Sequence, residues 1–463
     1  MTTMVGQVTA TLVAGYIVSR GVNRAHFVAY ILALGSSNLI LFLHATFHTL
    51  ILLRLIIGIA QGAIIPVVFS MAADMFAPVD RPSAAAILSG AVGAGMLSGQ
   101  IFAGFMDGVL TWREQIGATG LLSLVLMCWV LTSLVDPSDV AMGHKRKTYN
   151  KSYMSPERPS TNSAVEKAFA DKNKLHPDEA CCSQGLMRTC ATPTVALLLL
   201  QSAPSTIPWG VLGAFLIDFL THEAAMRMDV ATSLMAAFGA GAAIGGIGGG
   251  LVGTELYKRP SKKLFCVFIG VATILGGLGT KWMIRNGVKV MTPSPNVSAA
   301  HTASTVASTD IVDMTEIVAN AVTDLVSVPG NTLDPEDHEA RHMILAALAV
   351  LCCGILSAIN GPNIKAMFLN LSPPAHRASL IGWANFLNCV GRGIGPLLAK
   401  FYIVRQDVPR QDALEASIDM WTVSGGVLIA AAFTVDKDIF KGMAAATVEP
   451  RGVAGKDSSR LGV

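Results

Sequence analysis

PVVFSMAADMFAPVDRPS, residues 66–83, and PNIKAMFLNLSPPAHRAS, residues 362–379, align without a gap. The pairing sets Pro66 on Pro362, Met75 and Phe76 on Leu371 and Ser372, Pro78 on Pro374, Arg81 on Arg377 and Ser83 on Ser379. A second pair, GYIVSRGVNR (15–24) and GLVGTELYKR (250–259), occurs in the same order. Each closes an apolar run, opens on a glycine and reaches an arginine nine positions later. Two matches in matching order point to an internal repeat, and a repeat constrains the architecture before any single residue is considered.

Composition says what is repeated. The chain has 463 residues, 52% of them hydrophobic and only 14% charged, with a mean hydropathy of +0.53. That is more apolar surface than a soluble domain can bury, so the chain reads as an all-α integral membrane protein with the lipid bilayer as a partner. A secretory signal would put its cations before the first apolar run; here the first cation, Arg20, follows it. The net charge of +3 is too small to suggest a nucleic-acid partner. The eight cysteines sit mostly in apolar runs without a CxxC pair, so neither a disulfide framework nor a zinc site is indicated, and no other metal or cofactor is implied.

Runs of about twenty apolar residues centre near Thr9, Gly35, Gly62, Gly95, Leu124, Pro208, Ile244, Val271, Ile355, Gly391 and Leu428, eleven in all. The last is the weakest, bracketed by Asp419 and Asp436. Polar segments at 136–193 and 285–342 divide the series. The expected organisation is an N-terminal bundle (1–135), a cytoplasmic central loop (136–193), a C-terminal bundle (194–440) holding the long loop 285–342, and a disordered cytoplasmic tail (441–463). Matching the repeats makes the first visible span the second of a six-helix unit. The spans are therefore helices 2 to 12 of two pseudo-symmetric six-helix halves, with helix 1 outside the visible series. Parallel halves about an axis along the membrane normal are a transporter architecture, with the substrate held between them.

The stretch around Gly15, Arg20 and Arg24 resembles the helix 2–3 loop signature of the major facilitator superfamily, G-x-x-x-D-R-x-G-R, and RLIIGIAQG (54–62) resembles that superfamily's helix 4 signature. Within it, QSAPSTIPWGVLGAFLIDFL (201–220) and the Arg54 to Gln61 spacing look most like the Spinster group, whose members move lysolipids and sphingoid phosphates. The resemblance implies the major facilitator fold and secondary transport by alternating access. Ser19 stands where the signature has aspartate, and Gln61 where Spinster-like proteins have glutamate. The helix 1 acid of that group lies outside this chain, which puts proton coupling in doubt.

Arg20, Arg24, Arg81, Lys145, Arg146, Lys147, Lys258, Arg259, Lys262, Lys263 and Arg377 fall in alternate connections, which the positive-inside rule places in the cytoplasm. The acidic loop with Asp310, Asp313, Glu316, Asp334, Glu336 and Asp337 is then extracytoplasmic, and its NVS sequon makes Asn296 a candidate glycosylation site.

Polar side chains within spans are the candidates for a substrate site, since charge at bilayer depth usually faces an interior cavity. Arg392 lies near the midplane of helix 11, and Asn385, Asn388 and Arg392 share one face of it. Arg54 and Gln61 share a face of helix 4. Pro204 and Pro208 interrupt helix 7 amid Gln201, Ser205 and Thr206, and Asn360 and Asn363 flank Pro362 in helix 10. For all of these, bonding between helices is the competing reading. Gly15, Ser19, Arg20, Arg24, Arg81, Gly250, Arg259 and Arg377 form the expected conformational gate. The other glycines of helices 5 and 8 read as close helix packing.

There is no G-x-S-x-G elbow, no phosphate loop and no His/Glu cluster, so an enzyme or a self-contained ATP-driven pump is not indicated. The expectation is a monomeric secondary transporter of a small organic solute, such as an amphiphilic anion of the lysolipid or sphingoid phosphate kind, in the plasma or endolysosomal membrane. The alternatives are a transporter-fold ligand sensor or an inactive truncated paralogue.

Overall fold

The computed structural model describes residues 2–134, 183–287 and 335–439, apart from positions 21, 45, 107–108, 224–225 and 374–375. The central loop, the Asn296 sequon and the C-terminal tail lie outside the described residues. Those described are almost wholly helical: α1 (Thr2–Ser19), α2 (Arg24–Gly35), α3 (Asn38–Leu43), α4 (Phe47–Met75), α5 (Arg81–Phe105) and α6 (Trp112–Ser133), then α7 (Ser183–Cys190), α8 (Pro193–His222), α9 (Met228–Lys258), α10 (Lys263–Trp282), α11 (Pro335–Ala358), α12 (Asn360–Leu371), α13 (Arg377–Arg405) and α14 (Arg410–Ala431).

Local chemistry sets the helix ends. The Asn23 side chain accepts from His26 N at 3.1 Å to open α2, and Thr46 accepts from Thr49 N at 3.2 Å to open α4. Thr111 and Glu114 form a reciprocal capping box at the head of α6. Pro82 and Pro193 occupy first-turn positions, where a missing N–H costs nothing. The tenth span breaks between α11 and α12 because Pro362 has no N–H for the Ala358 carbonyl.

By length and apolarity, seven helical stretches are able to cross a membrane: Arg24–Leu43, Phe47–Met75, Trp112–Ser133, Pro193–His222, Val230–Lys258, Lys263–Arg285 and Ile344–Leu371. The other expected spans, α1, α5, α13 and α14, are helices too, but glycine, hydroxyl, amide and, in α13 and α14, charged residues lower their hydropathy. Helix 12 also begins earlier than its apolar run suggests. Asp419 is well inside α14, where Lys281 of α10 reaches both its oxygens at 2.9 Å. One turn further out, Arg285 pairs with Glu415, which is only 3% exposed.

Three apolar clusters hold the bundle. One lies among α1, α2 and α4, where Ala10, Ala14, Val28, Ile31, Ala63 and Val67 meet. Another is inside the second half, around Leu212, Phe238, Ile418 and Trp421. The third joins the halves: Phe69 and Ala73 of α4 and Ala85 of α5 pack with Met367, Leu380, Ile381 and Ala384. The main helix pairings between halves are α1 with α13 and α5 with both α9 and α12.

Candidate gate and central cavity

Arg24, Arg81 and Arg377 gather at one end of the bundle around Asp74, in the last turn of α4. Its Oδ2 accepts from Arg24 Nη1 at 2.7 Å, and its Oδ1 accepts from Arg377 Nη1 at 3.0 Å. Arg377 comes from the other half, so this carboxylate ties the two together. Arg81, equivalent to Arg377 in the ungapped alignment, crosses in the opposite direction. It donates to Asn370 Oδ1 at 2.8 Å and Leu369 O at 3.2 Å, and within its own half to Ala73 O at 2.9 Å. In the same alignment Asn370 stands opposite Asp74. Each half thus sends its arginine to the matching position of the other, one contact ionic and one neutral.

The glycines of the second repeat pair make this approach possible. A Cβ at Gly15 would lie 2.8 Å from Ala378 O, and one at Gly250 would overlap Ala86 Cβ and lie 3.0 Å from Pro82 O. Ala378 and Pro82 are themselves equivalent, so α1 on α13 and α9 on α5 are the same contact made twice. Beside them Ser379 Oγ lies 3.3 Å from Ser19 Oγ and 3.2 Å from Gly15 O, while Ser83 Oγ lies 2.6 Å from Thr254 Oγ1. Ser19 thus meets a hydroxyl at the start of α13. Two expected gate residues stand apart from this network. Arg20 turns back onto the hydroxyl and ring of Tyr16, and Arg259 ends α9 as its C-cap.

Away from the arginine end the halves part. The α5–α9 contact runs to Gly93, where an added Cβ would lie 3.7 Å from Ala243 Cβ, whereas one added at Gly95, Gly99 or Gly239 would meet no other helix within 4 Å. Gln61 lies roughly 12 Å outward of Phe69 along α4, and Arg392 roughly 12 Å outward of Ala384 along α13, at 1.5 Å per residue. Both are exposed. Gln61 accepts from Gln7 Nε2 of α1 at 3.1 Å; Arg54 is two turns further out on α4 and half-buried. Asn385 Nδ2 donates across the halves to Thr11 Oγ1 at 3.0 Å. Asn388 is half-buried, and its backbone carbonyl accepts from Thr206 Oγ1 at 2.8 Å.

The remaining sequence candidates are engaged inside the second half. Gln201 accepts from Ser424 Oγ at 3.0 Å, and Ser205 O accepts from Trp421 Nε1 at 2.9 Å. Asn360 donates to Thr273 Oγ1 and Asn363 to Gly249 O, each at 3.0 Å. Both asparagines are buried.

A further cation lies between the halves. Lys365 of α12 places Nζ 4.6 Å over the ring of Phe69 and 3.4 Å from Ser89 Oγ, both of the first half. The repeat alignment puts Lys365 opposite Phe69, a signal that was present in the sequence.

A family model described as Major Facilitator Superfamily matches residues 1–290. A search of curated proteins finds no match. Among solved structures the chain is similar to the human organic anion transporter MFSD10 (TETRAN), with 13% identity, a TM-score of 0.55 and coverage of 94% of this chain and 82% of that one. It is also similar to the proton:xylose symporter XylE, with 13% identity, a TM-score of 0.58 and coverage of 93% and 83%.

Proposed function

The chain belongs to the Major Facilitator Superfamily, and from that premise we propose that it is a secondary transporter of an organic anion, working by alternating access. The arginine end is the cytoplasmic side, and the geometry described is the state closed there. Substrate enters between the halves from the opposite side and meets Arg392, with Gln61, Asn388 and Arg54 around it. Asn385, Thr206 and the buried asparagines hold the helices that present this face. Breaking the Asp74–Arg377 and Arg81–Asn370 contacts then lets the halves rock apart on the cytoplasmic side.

The observation that carries the reading is charge. Among the described residues no carboxylate forms an ion pair with Arg54 or Arg392, and a cation at that depth calls for a counter-charge. An anionic substrate supplies it. An amphiphilic anion, a lysolipid or sphingoid phosphate, is the type that the helix 7 resemblance points to.

The test is uptake of labelled amphiphilic anions by the protein in liposomes. Arg392→Lys keeps the charge but loses the planar fork, so uptake of an anion should weaken by about 1–3 kcal/mol in kcat/KM, the scale of a charged hydrogen bond. Arg392→Gln should lose more. Parent-like uptake by both variants would make Arg392 a packing residue and sink the anionic reading. Saturable binding without uptake would make the protein a receptor with a transporter's fold.

A further inference from the structure

We propose that the first half binds one more membrane-crossing helix, supplied by a partner and of the same chemistry as α8, along the glycine face of α5. Continued outward without a gap, the alignment of α5 with α13 sets Gly95 on Gly391 and Gly99 on Gly395. In the second half these glycines seat α8. A Cβ at Gly391 would overlap Ala203 O and crowd Thr206 Oγ1, and one at Gly395 would lie 2.7 Å from Ile207 O. Thr206 Oγ1 donates to Asn388 O at 2.8 Å across the same contact. In the first half Gly95 and Gly99 are exposed, and a Cβ at either would meet nothing within 4 Å.

The next helix in each half repeats the contrast. α14 follows α13 and holds α8 from another side, with Trp421 Nε1 donating to Ser205 O at 2.9 Å and Ser424 Oγ to Gln201 Oε1 at 3.0 Å. α6 follows α5, buries Gly117 and Gly120 against α3, and leaves Leu122, Leu126 and Trp129 exposed. Glycines four residues apart share a helix face and let two backbones approach closely, a spacing that contact with lipid tails does not require. The second half shows the chemistry such a face takes: an apolar helix that presents Ala203, Thr206 and Gly210 to α13, small or hydroxyl side chains over which the backbones meet. The glycine face of α5 belongs to the first half alone, and its occupancy is independent of which solute is carried.

The test uses the full chain in phosphatidylcholine vesicles and, as probe, a fluorescent peptide of residues 193–222, the α8 sequence, read by energy transfer from a dye on the chain. The peptide should bind saturably and raise the melting temperature of the parent. Gly95→Leu and Gly99→Leu should each weaken binding at least tenfold, whereas Ala94→Leu, on another face of α5, should leave it within twofold. Both glycine variants should melt like the parent when no peptide is added, since nothing lies within 4 Å of an added Cβ; a loss of melting temperature there would show the face already packed and overturn the proposal. A parent that does not bind the peptide leaves the face to lipid, and the proposal fails. Binding that ignores both glycines, as in exchange with α8 in its own seat, also overturns it. So does self-association of the chain that Gly99→Leu abolishes, because the occupant is then a second copy.

Discussion

Asp74 and Arg377 meet at 3.0 Å across the two halves, while their counterparts in the repeat, Asn370 and Arg81, meet at 2.8 Å. The two crossings share geometry and differ by one charge. The ionic crossing is partly buried, with side-chain exposures of 33% for Asp74 and 13% for Arg377, so solvent screens it only in part.

Asp74→Asn should therefore weaken the closed arginine end. Two arginines lose a charged acceptor, a loss of about 1–3 kcal/mol after allowance for partial exposure. Spin labels on the exposed positions Val79 and Lys263, one in each half, should show the long-distance population grow. An unchanged distance distribution would mean that Asp74 is not part of the gate.

The reverse change should do the opposite. Asn370→Asp gives Arg81 a carboxylate at a distance already suited to one, and the closed end gains on the order of 1 kcal/mol. Turnover should fall while the melting temperature holds or rises. Faster turnover would contradict the assignment of this contact to the closed state.

Gly250→Leu should separate function from stability. The added side chain has to displace Ala86 and the Pro82 carbonyl, a clash of about 1–3 kcal/mol that lies between the halves and not within either. Full closure should be blocked and transport lost, with most of the melting temperature retained. Gly15→Leu should behave alike, since Ala378 plays the part of Pro82. Parent-like transport by both variants would show that these close approaches are dispensable.

Glu415→Gln gives the contrasting case. Glu415 is buried, but Arg285 is more than half exposed, so the loss is discounted to about 1–2 kcal/mol. The melting temperature should drop, while uptake per folded molecule stays near the parent's. A selective loss of uptake would instead tie this pair to transport.

The duplication was legible because Arg81, Arg377, Gly15 and Gly250 are each forced by a contact made twice, and an ungapped alignment records such contacts directly. Helix positions were legible from apolar runs. Asp74 was not singled out, because one acid at a span end looks like any other; its role depends on a partner roughly 300 residues away in sequence. Lys365 was missed for a related reason. A lone lysine in an apolar run has no local signature, and only the packing of α12 on α4 gives it Phe69. Gln201, Asn360 and Asn363 show the converse: a polar side chain in a span signals a need for a partner, and composition alone does not say whether that partner is a helix or a ligand.

The stacking of Lys365 on Phe69 has one more implication. These residues occupy the same position in their respective halves, and two points related by a twofold rotation come close only beside the rotation axis. The 4.6 Å contact therefore locates the pseudo-dyad, which passes beside Phe69 and Lys365. When the halves rock, material near that line moves least and the two mouths move most. Lys365 is thus seated near the pivot.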